Sequence, residues 1–163
     1  MGDFAHRVTD CLLASELMPA SIRMKLMRRL GYDVSPEACI WARANLRSKN
    51  LTIGRGVFIN VGFFFDGFAR LEIGDNVRVG QNVKIITATH EIGPSTQRGL
   101  IEVVGGPVTI KRGCWIGAGT TIMPRVTIAE GCVIGVNSLV NKSTEPDGLY
   151  VGTPARRVRD LGP

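Results

Sequence analysis

Between Val108 and Asn141 the aliphatic positions of the chain recur every six residues. The guide positions are Ile110, Ile116, Ile122, Ile128, Ile134 and Val140. Four positions after each of the first five comes a second small or apolar residue: Cys114, Thr120, Val126, Cys132 and Ser138. A helix repeats at about 3.6 residues and a strand at about two, so neither explains this spacing. The repeat predicts a parallel β-helix, in which each unit is one short strand and a turn and three units form one coil.

The same six-residue repeat continues, less regularly, through the preceding part of the chain. Its guide positions there are Val34, Ile40, Leu46, Ile53, Ile59, Phe65, Ile73, Val79 and Ile85. Trp41 stands where later repeats have a small residue, and the segment 67–70 is an insertion. Between Thr87 and Pro107 the repeat stops and the chain becomes polar. A long excursion from a regular solenoid is a natural place for function.

The two ends of the chain do not carry the repeat. From about Thr9 to Leu30 the pattern predicts helix: Pro19 suits a first turn, and Gly31 ends the segment. We expect this helix to pack on the solenoid or on a neighbouring subunit, with an anionic lipid surface as the alternative. The predicted organisation is a helical segment over 1–31, a β-helix over 32–145 with an excursion at 87–107, and a basic tail over 146–163 that leaves the solenoid.

Composition and charge narrow the function classes. The chain has 163 residues and 44% hydrophobic composition, which is typical of one globular domain, and its formal charge of +6 leaves nucleic acid, a membrane surface or a smaller polyanion as partners. No nucleic-acid module is recognisable, so a nucleic-acid partner is not expected. No apolar run approaches the roughly 18 residues of a membrane span, so we expect a cytoplasmic protein without an integral membrane segment. The four cysteines form no CxxC pair and have no histidine partners, so no metal site is expected.

Several stretches resemble the hexapeptide-repeat acyltransferases. They are Ile59-Asn60, Ile73-Gly74-Asp75-Asn76-Val77, Thr87-Ala88-Thr89-His90, Cys114-Trp115-Ile116-Gly117, the run from Ile134-Gly135 to Lys142, and Gly152-Thr153-Pro154-Ala155-Arg156. The order and spacing are similar to the branch of sugar and polysaccharide O-acetyltransferases that includes the maltose and galactoside enzymes. The resemblance implies a mainly β, left-handed parallel β-helix. It also implies acetyl-CoA as co-substrate, a sugar or glycan acceptor, and a homotrimer whose sites lie between subunits.

The resemblance assigns roles on the acceptor side of the reaction. Acyl transfer to a hydroxyl needs a base, and His90 in its Thr-Ala-Thr-His setting matches the family's catalytic histidine. Glu102 is the candidate that orients the imidazole, with Glu91 second. Asn60 and Asp66 fall where the family places residues that bind the acceptor. No covalent acyl-enzyme is required, because Cys114 is expected inside the solenoid and Ser95 has no evident base.

The resemblance also assigns a groove for coenzyme A. Its residues are Trp115, Gly117, Ala118, Gly135, Val136, Lys142, Arg156 and Arg159. The physical argument agrees in part, because Trp115 precedes an inward isoleucine and is expected to point outward, while lysine and arginine supply charge for phosphates. A backbone N–H near Gly117 or Ala118 is the expected oxyanion donor.

Other functions remain open at this point. A γ-type carbonic anhydrase uses three histidines, and the chain has two. A serine or antibiotic acetyltransferase shares the base chemistry but has a different acceptor. A non-catalytic trimeric scaffold would need neither His90 nor the basic groove residues.

Overall fold

The amino-terminal segment folds as two helices. The computed structural model describes residues 2–162, with side chains described from Val8 onward. Helix α1 spans Gly2–Ala14 and α2 spans Ala20–Arg29. The sequence suggested one helical stretch, but the chain turns between them and Pro19, which has no N–H to donate, becomes the N-cap of α2. None of the helices within residues 2–162 combines the length and the apolar character needed to cross a bilayer.

The rest of the chain is a solenoid of short strands with two hairpins. In order the strands are β1 Asp33–Val34, β2 Cys39–Ile40, β3 Asn45–Leu46, β4 Leu51–Ile53, β5 Phe58–Ile59, β6 Phe64–Phe65, β7 Leu71–Ile73, β8 Arg78–Val79, β9 Lys84–Ile85, β10 Ala88–Ile92, β11 Gly99–Gly105, β12 Val108–Ile110, β13 Trp115–Ile116, β14 Thr121–Ile122, β15 Thr127–Ile128, β16 Val133–Ile134, β17 Leu139–Val140, β18 Gly148–Gly152 and β19 Ala155–Asp160. Apart from the β10–β11 and β18–β19 hairpins, every pairing is parallel.

Three sheets form the faces of the β-helix. The first sheet has the order β1-β4-β7-β12-β15, the second β2-β5-β8-β13-β16-β18 with β19 at its edge, and the third β3-β6-β9-β14-β17. Ile116 lies opposite Val79 on one neighbouring coil and Ile134 on the other. Each guide position is buried, and the guide residues of each sheet lie in register, so that three stacks of side chains fill the interior. The predicted parallel β-helix with a protruding loop is therefore confirmed.

Two arginines close the ends of the solenoid. Arg23 of α2 is buried, and its guanidinium donates to the carbonyls of Leu13 and Ile40 at 2.7 and 2.9 Å. Burial lowers the pKa of Arg23. At the other end Arg157 lies over the Tyr150 ring at 5.7 Å and donates to the Tyr150 hydroxyl at 3.2 Å. Arg157 also donates to the backbone carbonyls of Glu145 and Pro146 at 3.2 and 3.0 Å, so at each end an arginine binds backbone carbonyls.

The carboxyl-terminal segment differs from the expected tail. Strand β18 pairs in parallel with β16, with Leu149 opposite Val133 and Tyr150 opposite Ile134. The chain therefore continues the second sheet for one more strand before β19 folds back on it. The segment does not leave the solenoid at residue 146, because Tyr150 supplies one more buried side chain to the core.

The interior cysteines give a prediction on thiol reactivity. Cys114 and Cys132 are fully buried, and burial raises the pKa of Cys114 to about 12, whereas Cys11 is exposed and Cys39 is half-buried. Since the thiolate is the reacting form, iodoacetamide at neutral pH is expected to modify Cys11 first, Cys39 more slowly and the two interior thiols only after unfolding. Peptide mass mapping over time checks this order. Rapid modification of Cys114 in folded protein would contradict its interior position.

Candidate functional site

His90 lies on the hairpin that interrupts the solenoid between its third and fourth coils. Strands β10 and β11 pair antiparallel with His90 opposite Val103, and the register shifts between His90 and Ile92. The His90 side chain is exposed. Ile92 and Ile101 of the same hairpin are 82% and 88% exposed. The hairpin thus presents an accessible imidazole beside apolar side chains that the chain itself leaves uncovered.

Glu102 directly precedes Val103, the residue paired with His90 across the hairpin. Side chains alternate along a strand, so Glu102 points to the opposite face of the hairpin from Val103 and His90. Within residues 2–162 no hydrogen bond or ion pair engages the His90 imidazole, and none engages the carboxylates of Glu91 or Glu102. The orienting role of Glu102, with Glu91 second, stays a prediction.

Asp66 lies at the base of this hairpin. Its carboxylate accepts hydrogen bonds from the backbone N–H groups of Thr87 at 2.7 Å and Ala88 at 3.0 Å, and from the Thr87 hydroxyl. Its predicted role in acceptor binding stays a prediction, and these bonds show that it contacts the strand leading to His90.

Asn60 lies at the corner between the second and third sheets. Its backbone N–H donates to the Val79 carbonyl at 3.0 Å, and its side-chain oxygen accepts from the Val61 N–H at 2.8 Å. Among the described residues, the amide nitrogen of this side chain has no acceptor. The two N–H donors of the Asn60 side-chain amide are therefore available to a ligand at this corner.

An aromatic cluster near Asn60 was not identified as a site from the sequence. Trp41, one coil below, is 48% exposed and meets the Phe58 ring edge-on at 6.1 Å. The Arg78 guanidinium lies 5.8 Å from the Phe58 centroid. A cavity of about 240 Å³ beside Trp41 is lined by Glu16, Met18, Ala20, Arg23, Trp41 and Ala42. The one signal in the sequence was the large Trp41 at a small-residue position of the repeat.

In the later coils, glycines occupy the same corner between the second and third sheets. We call the row formed by Gly117 and Gly135 the glycine edge. The N–H of Gly117 donates to Ile134 O at 2.8 Å, and that of Gly135 donates to Tyr150 O at 2.8 Å. A Cβ added at Gly117 would lie 2.7 Å from both Ile134 O and Val136 N, which is far inside contact distance. The glycines thus let successive coils stack closely along this edge, where Gly117 is buried and Gly135 is half-buried.

The adjoining residues of the predicted cofactor groove flank this edge. Val136 is 69% exposed on it, and Ala118 O accepts from Asn137 N at 2.8 Å. Trp115 is 57% exposed on the outer face of the second sheet, as predicted. The strand registers run from Trp115 through Val133 and Leu149 to Arg159. Trp115 and Arg159 therefore share one face, separated by two apolar side chains.

Lys142 and Arg156 lie together at another cavity. It measures about 260 Å³ and is lined by Val140, Lys142, Ser143, Tyr150, Ala155, Arg156 and Arg157. Arg156 is opposite Val151 in the β18–β19 hairpin, and Val151 Cγ1 is the nearest atom to a Cβ added at Gly135. The basic pair thus adjoins the glycine edge at the carboxyl end of the solenoid.

His90 and the glycine edge arise from different corners of the β-helix. The hairpin leaves after β9, between the third and first sheets, whereas Gly117 and Gly135 lie between the second and third sheets. The hairpin of one chain therefore starts away from the edge that carries the predicted cofactor residues.

The comparisons with known proteins agree with this architecture. The family model described as bacterial transferase hexapeptide, six repeats, matches residues 107–142. A Schizosaccharomyces pombe protein classed as an acetyltransferase is 39% identical over 112 residues, which are 69% of this chain and 54% of that relative. The chain thus spans about half the length of that curated relative.

Two solved structures cover nearly the whole chain. A galactoside acetyltransferase in complex with coenzyme A matches with a TM-score of 0.82 and 26% identity, covering 98% of this chain and 80% of that one. A Vibrio cholerae hexapeptide-repeat acetyltransferase complexed with acetyl-CoA matches with a TM-score of 0.80 and 29% identity, covering 98% and 89%. The left-handed β-helix that the resemblance implied is the fold these matches support.

Proposed function

We propose that this chain, which belongs to the hexapeptide-repeat acyltransferase superfamily, transfers an acetyl group from acetyl-CoA to a hydroxyl of a sugar or polysaccharide precursor. The observation that carries the proposal is the exposed His90 on a hairpin of a solenoid whose glycine edge adjoins Trp115 and basic side chains. The neighbours that are complexed with acetyl-CoA and coenzyme A support the same cofactor.

In this reaction His90 acts as a general base. It takes the proton of the acceptor hydroxyl while that oxygen attacks the thioester carbonyl of acetyl-CoA. The new C–O bond forms, the C–S bond breaks, and the leaving thiolate takes the proton back from the imidazolium. General base catalysis of this kind contributes about 10²- to 10⁴-fold in rate.

The oxyanion that develops on the carbonyl needs a donor. The Gly117 N–H already donates to Ile134 O, whereas the Ala118 N–H has no acceptor among the described residues. Of the two predicted donors, Ala118 is therefore the one whose hydrogen is available. Its position next to the glycine edge suits a thioester lying along that edge.

Coenzyme A would lie along the glycine edge. The apolar surface of Trp115 and Val136 suits the pantetheine arm, and Lys142, Arg156 and Arg159 supply the charge for phosphates. The missing side chains of Gly117 and Gly135 let the coils stack closely along this edge. Ala118 follows Gly117 and has no side-chain hydroxyl, so the polar group at this position is its backbone N–H.

The sugar acceptor would lie beside Trp41 and Asn60, at the same corner of the β-helix as the glycine edge but in the first two coils. Aromatic rings suit the apolar faces of a sugar ring, and the free amide donors of Asn60 suit its hydroxyl groups. A galactoside acetyltransferase among the structural neighbours supports this substrate class. Glu16 at the adjoining cavity adds an acceptor for hydroxyl protons.

The two tryptophans should divide the binding functions between them. Trp41→Ala is expected to raise the KM for the sugar about 2- to 12-fold and leave the KM for acetyl-CoA unchanged, because one stacking contact contributes about 0.5–1.5 kcal/mol. Trp115→Ala is expected to raise the KM for acetyl-CoA by a similar factor and leave the KM for the sugar unchanged. Initial rates with each substrate varied in turn check both. Equal effects of Trp41→Ala on both KM values would contradict the acceptor site.

We infer that the site is completed by a second copy of the chain in a homotrimer. The supporting observations are the separate corners from which His90 and the glycine edge arise and the exposure of Ile92 and Ile101 on the hairpin. Burying those isoleucines against a neighbour would stabilise assembly. Light scattering of the active protein tests this, and an active monomer would refute it.

The reaction class is tested by following thiol release from acetyl-CoA. The acceptor panel includes galactosides, other free sugars, nucleotide sugars, glycan fragments, serine and aminoglycoside or streptogramin antibiotics. The proposal expects release with a saccharide and little with the rest. Release with serine or an antibiotic alone would refute the sugar acceptor. No release together with no binding of acetyl-CoA would leave the trimeric scaffold as the function.

A further inference from the structure

Five residues join the His90 hairpin to the solenoid, and we call them the hairpin neck: Asp66, Thr87, Ala88, Gly105 and Arg125. Asp66 belongs to the coil below the hairpin and Arg125 to the coil above it. Asp66 binds the outgoing strand through Thr87 and Ala88. The Arg125 Nε donates to the Gly105 carbonyl of the returning strand at 2.9 Å. Both strands of the hairpin are therefore held where they meet the solenoid.

Thr87 is the centre of the neck. It is fully buried. Its hydroxyl donates to Asp66 and accepts from the Ala69 N–H at 3.0 Å. Its carbonyl accepts from the Gly106 N–H at 3.0 Å, and a Cβ at Gly105 would overlap that carbonyl oxygen. The two strands thus meet at a point where backbone, hydroxyl and carboxylate fix one geometry.

The Asp66 carboxylate is largely occupied by these bonds. Besides the three from Thr87 and Ala88, it accepts a longer one from the Phe68 N–H at 3.4 Å. Two carboxylate oxygens offer about four lone-pair sites. Little capacity therefore remains for the hydroxyl groups of a sugar.

We propose that Asp66 is a positioning residue that sets the direction of the hairpin and hence the place of His90. This inference rests on the proposed function. His90 lies three residues beyond Thr87, about 10 Å along an extended strand, so a small tilt at the neck displaces the imidazole appreciably. A displacement of about 1 Å at a catalytic group lowers turnover by about 100-fold.

The test compares Asp66→Asn and Thr87→Val with the conservative Thr87→Ser. Asparagine keeps the shape of the side chain but offers fewer acceptor sites, and valine removes the hydroxyl. Both are expected to lower kcat about 10- to 100-fold with the KM values for acetyl-CoA and sugar unchanged. Thr87→Ser keeps the hydroxyl and is expected to retain most of the turnover.

Asp75→Asn is the matched control. Asp75 also binds a neighbouring coil at a corner, accepting from the Arg55 N–H at 2.8 Å and from its guanidinium at 3.0 Å, but no hairpin starts there. The hydrogen bonds from Arg55 lower the pKa of this carboxyl. We expect Asp75→Asn to leave kcat unchanged. A similar kcat loss in both aspartate variants would show a general effect on the solenoid and overturn the proposal.

A role of Asp66 in acceptor binding predicts a different result. The sugar KM would then rise in Asp66→Asn while Thr87→Val stayed active, which would overturn the positioning role. Hydrogen exchange gives a readout that does not need turnover: amides of residues 88–105 should exchange faster in Asp66→Asn but not in Asp75→Asn. Unchanged exchange there would also overturn the proposal. Failure of the proposed function would appear separately, as absence of turnover in the unmodified protein.

Discussion

Replacing His90 with alanine is expected to lower kcat by about 10²- to 10⁴-fold, because the acceptor hydroxyl loses its general base. The side chain is exposed, so the free energy of unfolding should change by no more than about 0.5 kcal/mol. The KM for acetyl-CoA should also stay unchanged, since His90 acts on the acceptor hydroxyl, whereas Trp115 and the basic side chains are proposed to bind the cofactor. Steady-state kinetics and thermal unfolding of the same preparations measure all three quantities.

The control for this variant is His6→Ala, which removes the other of the two histidines. It should retain full turnover. If His90→Ala were as active as the unmodified protein, His90 would not be the base. A loss of turnover accompanied by a large fall in the unfolding temperature would instead indicate that His90 supports the fold.

Replacing Gly117 with alanine is expected to weaken both the fold and acetyl-CoA binding. The added Cβ would lie 2.7 Å from two backbone atoms of the next coil, Ile134 O and Val136 N. Backbone cannot move aside as a flexible side chain does, so the coils must separate locally. We expect the free energy of unfolding to fall by about 1–3 kcal/mol, as for other overpacked sites. Chemical denaturation and calorimetric titration with acetyl-CoA measure the two effects.

Gly99→Ala provides the matched glycine control. A Cβ at Gly99 would meet no heavy atom within 4 Å, so the same substitution should leave stability and acetyl-CoA binding nearly unchanged. If Gly117→Ala also left stability and acetyl-CoA binding unchanged, the close stacking of the coils would not determine the shape of the glycine edge.

The solenoid could be predicted from the sequence because its determinants are local and periodic. Each guide position fixes one strand and one inward side chain, and the step between coils follows from three repeats. The register of Ile116 with Ile134 and the interior positions of Cys114 and Cys132 were predictable for this reason. The break before Pro19 and the added strand β18 were not, because neither follows the six-residue period.

The candidate site was predictable only where a motif or the repeat marked it. The exposure of Trp115 followed from its place before an inward isoleucine. The bonds from Thr87 to Asp66 connect residues 21 positions apart, across an insertion that breaks the repeat. The cluster of Trp41 with Phe58 and Arg78 likewise arises between coils. Such contacts depend on how the coils stack, and this cannot be read from the sequence outside the regular repeat.

The central claim is that the chain moves an acetyl group from acetyl-CoA to a sugar hydroxyl through His90. The most direct measurement is mass spectrometry of a galactoside incubated with acetyl-CoA and either the unmodified protein or His90→Ala. We predict a sugar heavier by one acetyl group with the unmodified protein and at least about a hundredfold less of it with the variant. Equal amounts of acetylated sugar from both proteins, or none from the unmodified protein across the saccharide panel, would contradict the account.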